Sequence, residues 1–195
     1  NKNQLAFRCN VVNLSKTYGS HAALRAGILH ASGKYIVFLY ADLQDPIELI
    51  DKMYSKIISG NKNMIWATRK VANNSVFETF FSKTYSRLMK KYVSPLYPAN
   101  GFDIVMFDRK IQKQLNRNIE SNSSVFLQIL TMGFKQDSIE YEKLERKLGE
   151  SKWTLSKKIK LLIDSFVAFS YFPIRLLSIT GIIFFLTGLL WTGYI

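Results

Sequence analysis

From Leu5 to Leu14 apolar and polar residues alternate loosely, with Phe7, Val11 and Val12 among the apolar members, which predicts a strand. The polar stretch 15–20 reads as a turn, and the small residues from Ala22 to Ala31 as a helix stopped by Gly33. Tyr35-Ile36-Val37-Phe38-Leu39 is an unbroken apolar run rich in aromatic and β-branched residues, the pattern of a buried strand. Ile47, Ile50, Tyr54, Ile57 and Ile58 then recur at helical spacing and predict a helix over 47–58, ended by Gly60-Asn61. Met64 to Ala67 reads as a short strand. From Val76 to Val93 an amphipathic helix is predicted, with Phe77, Phe80, Phe81, Tyr85, Leu88, Met89 and Tyr92 opposite Lys83, Arg87, Lys90 and Lys91. A strand over 104–107, a helix opening at Asp108, a helix over 125–132 and a strand over 136–141 follow. Strands alternating with helices predict an α/β domain whose sheet is parallel or mostly parallel, with helices on both faces.

The pattern changes after Tyr141. Ser156 to Phe172 is amphipathic, with Ile159, Leu162, Ile163, Phe166, Val167 and Phe169 opposite Lys157, Lys158 and Lys160, and is expected to lie along a membrane surface. Leu176 to Ile195 carries no charge and reaches the roughly 20 residues that cross a bilayer. The organisation expected is a domain over 1–150, a juxtamembrane helix over 151–173 and a transmembrane helix over 174–195, the first of two.

Composition narrows the partners. A net charge of +13 in 195 residues calls for an anionic partner, nucleic acid or membrane. Its basic residues thicken from Lys143 to Lys160 and stop at Arg175, immediately before the apolar run, so the membrane is expected and no nucleic acid. That placement predicts a domain on the cytoplasmic side of an inner or plasma membrane. Cys9 is the single cysteine; it excludes an internal disulfide, suits a reducing compartment and is expected in the core.

Candidate chemistry gathers at Tyr40-Ala41-Asp42-Leu43-Gln44-Asp45-Pro46, directly after the apolar strand. Open α/β sheets bind ligands beyond the carboxyl ends of their strands. Two carboxylates and an amide there can hold a divalent cation against a diphosphate. Pro46 suits the first turn of a helix, and Asp45 also fits a helix N-terminal acid. Lys16 and Arg69 each follow a predicted strand and are candidates for phosphate contact, and Asp103 sits in a glycine-containing loop. Arg146 and Lys152 flank Gly149 just ahead of the predicted membrane segments, where a lipid phosphate would lie. His21 is read as a packing or capping residue and His30 as a surface one.

Taken in order, these residues resemble the family 2 glycosyltransferases of GT-A fold. The pieces are Asn13-Leu14-Ser15-Lys16-Thr17-Tyr18-Gly19-Ser20-His21-Ala22-Ala23-Leu24, Ala26-Gly27, Gly33-Lys34-Tyr35 and Ala41-Asp42-Leu43-Gln44-Asp45-Pro46. Gly101-Phe102-Asp103, Phe107-Asp108-Arg109, Arg146-Lys147-Leu148-Gly149-Glu150-Ser151-Lys152-Trp153 and Phe169-Ser170-Tyr171-Phe172-Pro173-Ile174-Arg175 are similar to the polyprenyl-phosphate branch, which includes dolichol-phosphate mannose synthase and bactoprenol glucosyltransferases. The resemblance implies inverting transfer of a sugar, UDP-glucose or UDP-N-acetylglucosamine being the expected donor, to undecaprenyl phosphate. It implies Mg2+ or Mn2+ on Asp42 and Gln44. It also implies a diphosphate held by Lys16, Asp42, Gln44, Asp45 and Arg69, acceptor or base assistance from Asp103, and the acceptor phosphate on Arg146 and Lys152. The family's first strand with its Asn-Glu turn, and a strand ending Asp-Asp-Gly-Ser, are expected before Asn1, so this stretch reads as a fragment inactive alone. Tyr40 stands where many members carry the first aspartate of an Asp-x-Asp pair. The competing reading is an inactive membrane scaffold or lipid-binding fragment; a homo-oligomer is compatible with either.

Overall fold

A computed structural model describes residues 8–70, 76–98, 101–118, 124–144, 163–164 and 167–195. Its elements are α1 (Ser20–His30), β1 (Tyr35–Val37), α2 (Glu48–Ser59), β2 (Met64–Arg69), α3 (Val76–Tyr92), β3 (Ile104–Asp108), α4 (Arg109–Arg117), α5 (Val125–Thr131), β4 (Gln136–Tyr141) and α6 (Phe172–Tyr194). The α/β class, the flanking helices and the terminal apolar helix agree with the sequence.

The sheet is mixed. Its order is β1-β3-β2-β4, with β3 antiparallel to both β1 and β2, and β4 parallel to β2. Three strands therefore run one way, but β3 lies between two of them and reverses the pairing. Residues 8–14 form no strand: Val11 and Val12 are exposed, and among the described residues no strand pairs with them. Cys9, expected in the core, is accordingly only half-buried. Most of the juxtamembrane helix lies outside the described residues.

Alternation along the strands separates two cores. Met64 and Trp66 of β2, with Val105 and Phe107 of β3, face α1, α4 and α5 and the end of α3. Ile65 and Ala67, with Ile104 and Met106, face Leu49, Met53 and Ile57 of α2. Those α2 residues form an i, i+4, i+8 stripe; of the residues expected on the apolar face Ile57 is buried, whereas Ile47, Tyr54 and Ile58 are exposed. On the first face the helices are tied by polar contacts as well as packing. Arg25 of α1 donates to the Leu115 carbonyl of α4 at 3.1 Å and to Gln128 of α5. Gln112 of α4 donates to the carbonyls of Ile28 and Ala31 at 2.6 and 2.7 Å, satisfying groups at the end of α1.

Helix ends also follow local chemistry. Asp108 closes β3 and caps α4, its carboxylate accepting from the N–H groups of Lys110 and Ile111 at 2.9 and 3.2 Å. Pro46 precedes α2, and its carbonyl accepts from Leu49 N–H at 3.1 Å. Helix α6 has 23 residues with a mean hydropathy of 1.9 and is nowhere buried, so it is long and apolar enough to cross a membrane.

Candidate active site

The reversed strand is what assembles the site. Strands β1, β2 and β4 end at the edge where β3 begins, so the residue just before β3 joins residues at the ends of the others. Arg69 and Tyr141 are register partners at the last rung between β2 and β4. Beyond that rung Lys70 N–H donates to the Tyr141 carbonyl at 2.9 Å. Asp103 is pinned at the same edge by its own N–H, which donates to the Ala67 carbonyl at 3.1 Å. Gly101, two residues earlier, has φ of 70°, a left-handed conformation that lets the loop turn into β3 without a side-chain clash.

Arg69 grips Asp103 with two parallel bonds, Nε to Oδ2 at 3.0 Å and Nη2 to Oδ1 at 3.2 Å. Burial works against the guanidinium's charge, but this carboxylate outweighs it and raises the Arg69 pKa. The Tyr141 hydroxyl reaches Asp45 Oδ1 at 2.7 Å and Asp103 Oδ2 at 3.2 Å. Burial first, then the Asp103 and Asp45 charges, push the Tyr141 pKa well above the usual phenol value. Asp45 is almost wholly enclosed, with Lys143 Nζ 3.8 Å from Oδ1 and with Oδ2 buried and lacking a hydrogen-bond partner. Tyr40, half-buried, is pushed up to about 12 by burial and by the charges of Asp103, Asp45 and Asp42, so it remains a phenol at neutral pH.

The turn after β1 is held from both sides. Gln44 N–H donates to Asp42 Oδ1 at 3.3 Å, closing an Asx turn, and Leu43 takes φ of 55°. Leu144 N–H donates to the Gln44 carbonyl at 2.8 Å, while Gln44 Nε2 donates to the Leu144 carbonyl at 3.3 Å. The segment leaving β4 is thus strapped to the acidic turn.

Of the residues singled out from sequence, Arg69 and Asp103 meet directly and Asp45 is linked to them through the Tyr141 hydroxyl, with Asp42 and Gln44 on the adjoining turn. Lys16 is exposed, its ammonium 5.1 Å from the centre of the Tyr18 ring, with no hydrogen bond or ion pair to this cluster among the described residues. Arg146 and Lys152 lie outside the described residues. His21 packs edge-on against Phe126, 6.0 Å between ring centres, and burial lowers its pKa. Tyr141 and Lys143 were not singled out. The signal was the two-residue alternation Ile139, Tyr141, Lys143, which puts the phenol and the ammonium on the side of the strand that meets the acidic turn.

Anionic and cationic side chains are concentrated beyond the strand ends. Residues 2–136 match the family model described as glycosyl transferase family 2. The chain belongs to that family. It is 35% identical over 188 residues to the uncharacterized glycosyltransferase YkcC of Bacillus subtilis, covering 94% of this chain and 57% of the relative. It is 31% identical over 180 residues to the undecaprenyl-phosphate 4-deoxy-4-formamido-L-arabinose transferase of Klebsiella pneumoniae, covering 91% of this chain and 54% of the relative. The putative glycosyltransferase CsbB of Bacillus subtilis is 28% identical over 184 residues, with 94% and 56% covered. The chain therefore spans a little over half the length of these relatives.

Proposed function

We propose that the protein transfers a sugar from a nucleotide sugar to a polyprenyl phosphate at the cytoplasmic face of a membrane, with inversion. The observation that supports this best is the convergence of Asp42, Asp45, Arg69, Asp103 and Tyr141 at one edge of a family 2 sheet. The long apolar helix α6 on the same chain adds to it. A polyprenyl phosphate oxygen is anionic near neutral pH, so attack on the sugar carbon needs little base assistance. What the reaction needs is neutralisation of the departing nucleoside diphosphate.

Among the described residues no group of three or more His, Cys, Asp or Glu side chains is arranged to hold a metal. The donor set fits the other kind of site, in which one or two protein groups share the ion with substrate phosphates and water. Asp45 keeps a buried, unpartnered oxygen beside that turn. Asp42 and Gln44 are the residues that would hold Mg2+ or Mn2+, which when bound supplies charge neutralisation on the diphosphate. Arg69, held by Asp103, sets a directed cationic group at the same edge. We assign the diphosphate to Asp42, Gln44, Asp45 and Arg69 with Lys16 as a further contact, and the acceptor phosphate to Arg146 and Lys152. UDP-glucose and UDP-N-acetylglucosamine are the donors we favour.

The test is transfer from labelled UDP-sugars to undecaprenyl phosphate in membranes carrying the full-length protein or its Asp42→Ala variant. Transfer by the first and loss of at least about 100-fold in the second is expected, the scale of removing a principal electrostatic group. A folded, membrane-inserted protein that transfers none of the tested sugars would support the scaffold reading instead.

A further inference from the structure

The Tyr141 hydroxyl lies within hydrogen-bond distance of carboxylates from both loops of the site. Asp45 comes from the turn after β1 and Asp103 from the loop before β3, and neither lies in a strand. Two carboxylates drawn to one phenol repel each other unless something between them compensates. The distances rank the acceptors, with Asp45 Oδ1 at 2.7 Å and Asp103 Oδ2 at 3.2 Å. One O–H carries one hydrogen, so Asp45 is its primary acceptor, while Asp103 already takes two N–H groups from Arg69. Lys143 stands 3.8 Å from Asp45 Oδ1, beyond hydrogen-bond reach.

The phenol is itself fixed. Tyr141 is buried, pairs with Arg69 in the β2–β4 ladder, and its carbonyl accepts from Lys70 N–H at 2.9 Å. Three residues on, Leu144 N–H holds the Gln44 carbonyl at 2.8 Å. A rigid ladder thus projects one hydroxyl to the meeting point of two loops, and the strand's exit segment ties down the first of them.

We propose that Tyr141 is a positioning residue, whose single hydroxyl sets the spacing between the Asp42–Asp45 turn and the Arg69–Asp103 pair. Resting on the transferase reading, it holds the diphosphate end of the donor at a fixed distance from the group that receives the sugar. Removing the hydroxyl leaves the ring and its packing in place but removes the contact that joins the two loops. A loss of that kind falls on turnover more than on donor binding.

The experiment uses full-length protein in membranes with UDP-glucose or UDP-N-acetylglucosamine, whichever is transferred, and undecaprenyl phosphate. It compares Tyr141→Phe, Asp103→Asn and the double variant. Tyr141→Phe is expected to lower kcat by about ten-fold or more while the donor KM stays within about two-fold. In the Asp103→Asn background the same change is expected to cost less than about two-fold, because the phenol then has no charged pair to set. Losses that multiply in the double variant, or a loss confined to KM, would overturn the proposal.

A second readout separates this inference from the transferase reading. Thermal unfolding of Tyr141→Phe, Asp45→Asn and their double variant needs no turnover. Melting-temperature decreases that fall short of adding in the double variant sustain the hydroxyl as the link, even if no sugar is transferred. Additive decreases overturn it whether or not the enzyme is active.

Discussion

Arg69 shows how much a single planar fork can decide. Both its bonds to Asp103 run parallel, a geometry that a lysine ammonium lacks. Arg69→Lys should lower kcat/KM by about ten-fold and Arg69→Ala by about 100-fold, following the usual worth of a charged hydrogen bond. Fold stability should change little, since Arg69 and Asp103 keep 42% and 24% of their side-chain surface exposed, where ion pairs contribute least. Circular dichroism melting beside steady-state kinetics separates the two effects. Tyr40 carries a pH prediction. Its folded pKa is raised from 10.0 to about 12, so above pH 10 the unfolded chain loses this proton while the folded one keeps it. Stability contributed by the protonated phenol is therefore complete below pH 10 and lost as pH rises toward 12. Tyr40→Phe should flatten that alkaline decline in a series of urea melts; an unchanged slope would show that the phenol does not titrate late.

At the scale of elements, the reversal of β3 matters most, and Asp108 marks its far end. That carboxylate caps α4 and also accepts from Asn63 Nδ2 at 2.8 Å, joining the entry of β2 to the exit of β3. Asp108→Ala should cost about 1–2 kcal/mol in urea unfolding, the upper part of the range for a lost cap, because a second contact goes with it. At the other end of β3, Gly101→Ala should cost about 1–2 kcal/mol through its left-handed backbone. It should also reduce transfer, because Asp103 is aimed by that loop; full activity in the alanine variant would uncouple loop conformation from the site. Most elements were legible beforehand because they are local. The strand over 136–141 and the helices around 48–59 and 109–117 follow from spacing, caps and breakers within a dozen residues. The exception, residues 8–14, has a strand's composition and, among the described residues, no strand's partner. Pairing is the part of strand formation that composition does not contain.

Across the whole molecule, the globular part meets the apolar helix through aromatic contacts. Phe169 packs on the core, and Phe172, the first residue of α6, packs at a tilt against Tyr92 at the end of α3 with ring centres 4.6 Å apart. The apolar span therefore starts against the sheet-covering helices. Deleting 172–195 should move the protein from the alkali-resistant membrane fraction to the soluble or peripheral one. Retention after deletion would place the anchoring elsewhere in the full-length protein. Charge is consistent with this arrangement, since the net +13 sits entirely outside the stretch after Arg175.

Sequence alone determined the kinds of element, their order, the apolar terminal helix and the family, since each is written in short-range periodicity or in an ordered series of short motifs. It also marked Asp42, Gln44, Asp45, Arg69 and Asp103 by residue type and by position after or before a strand. The tertiary structure alone decided their partners. Arg69 and Asp103 are 34 residues apart, and Tyr141 reaches Asp45 across 96. Those distances close only because β3 runs against its neighbours and β4 pairs beside β2. Which strand lies next to which depends on the combined packing of both sheet faces, and no local stretch of residues encodes it.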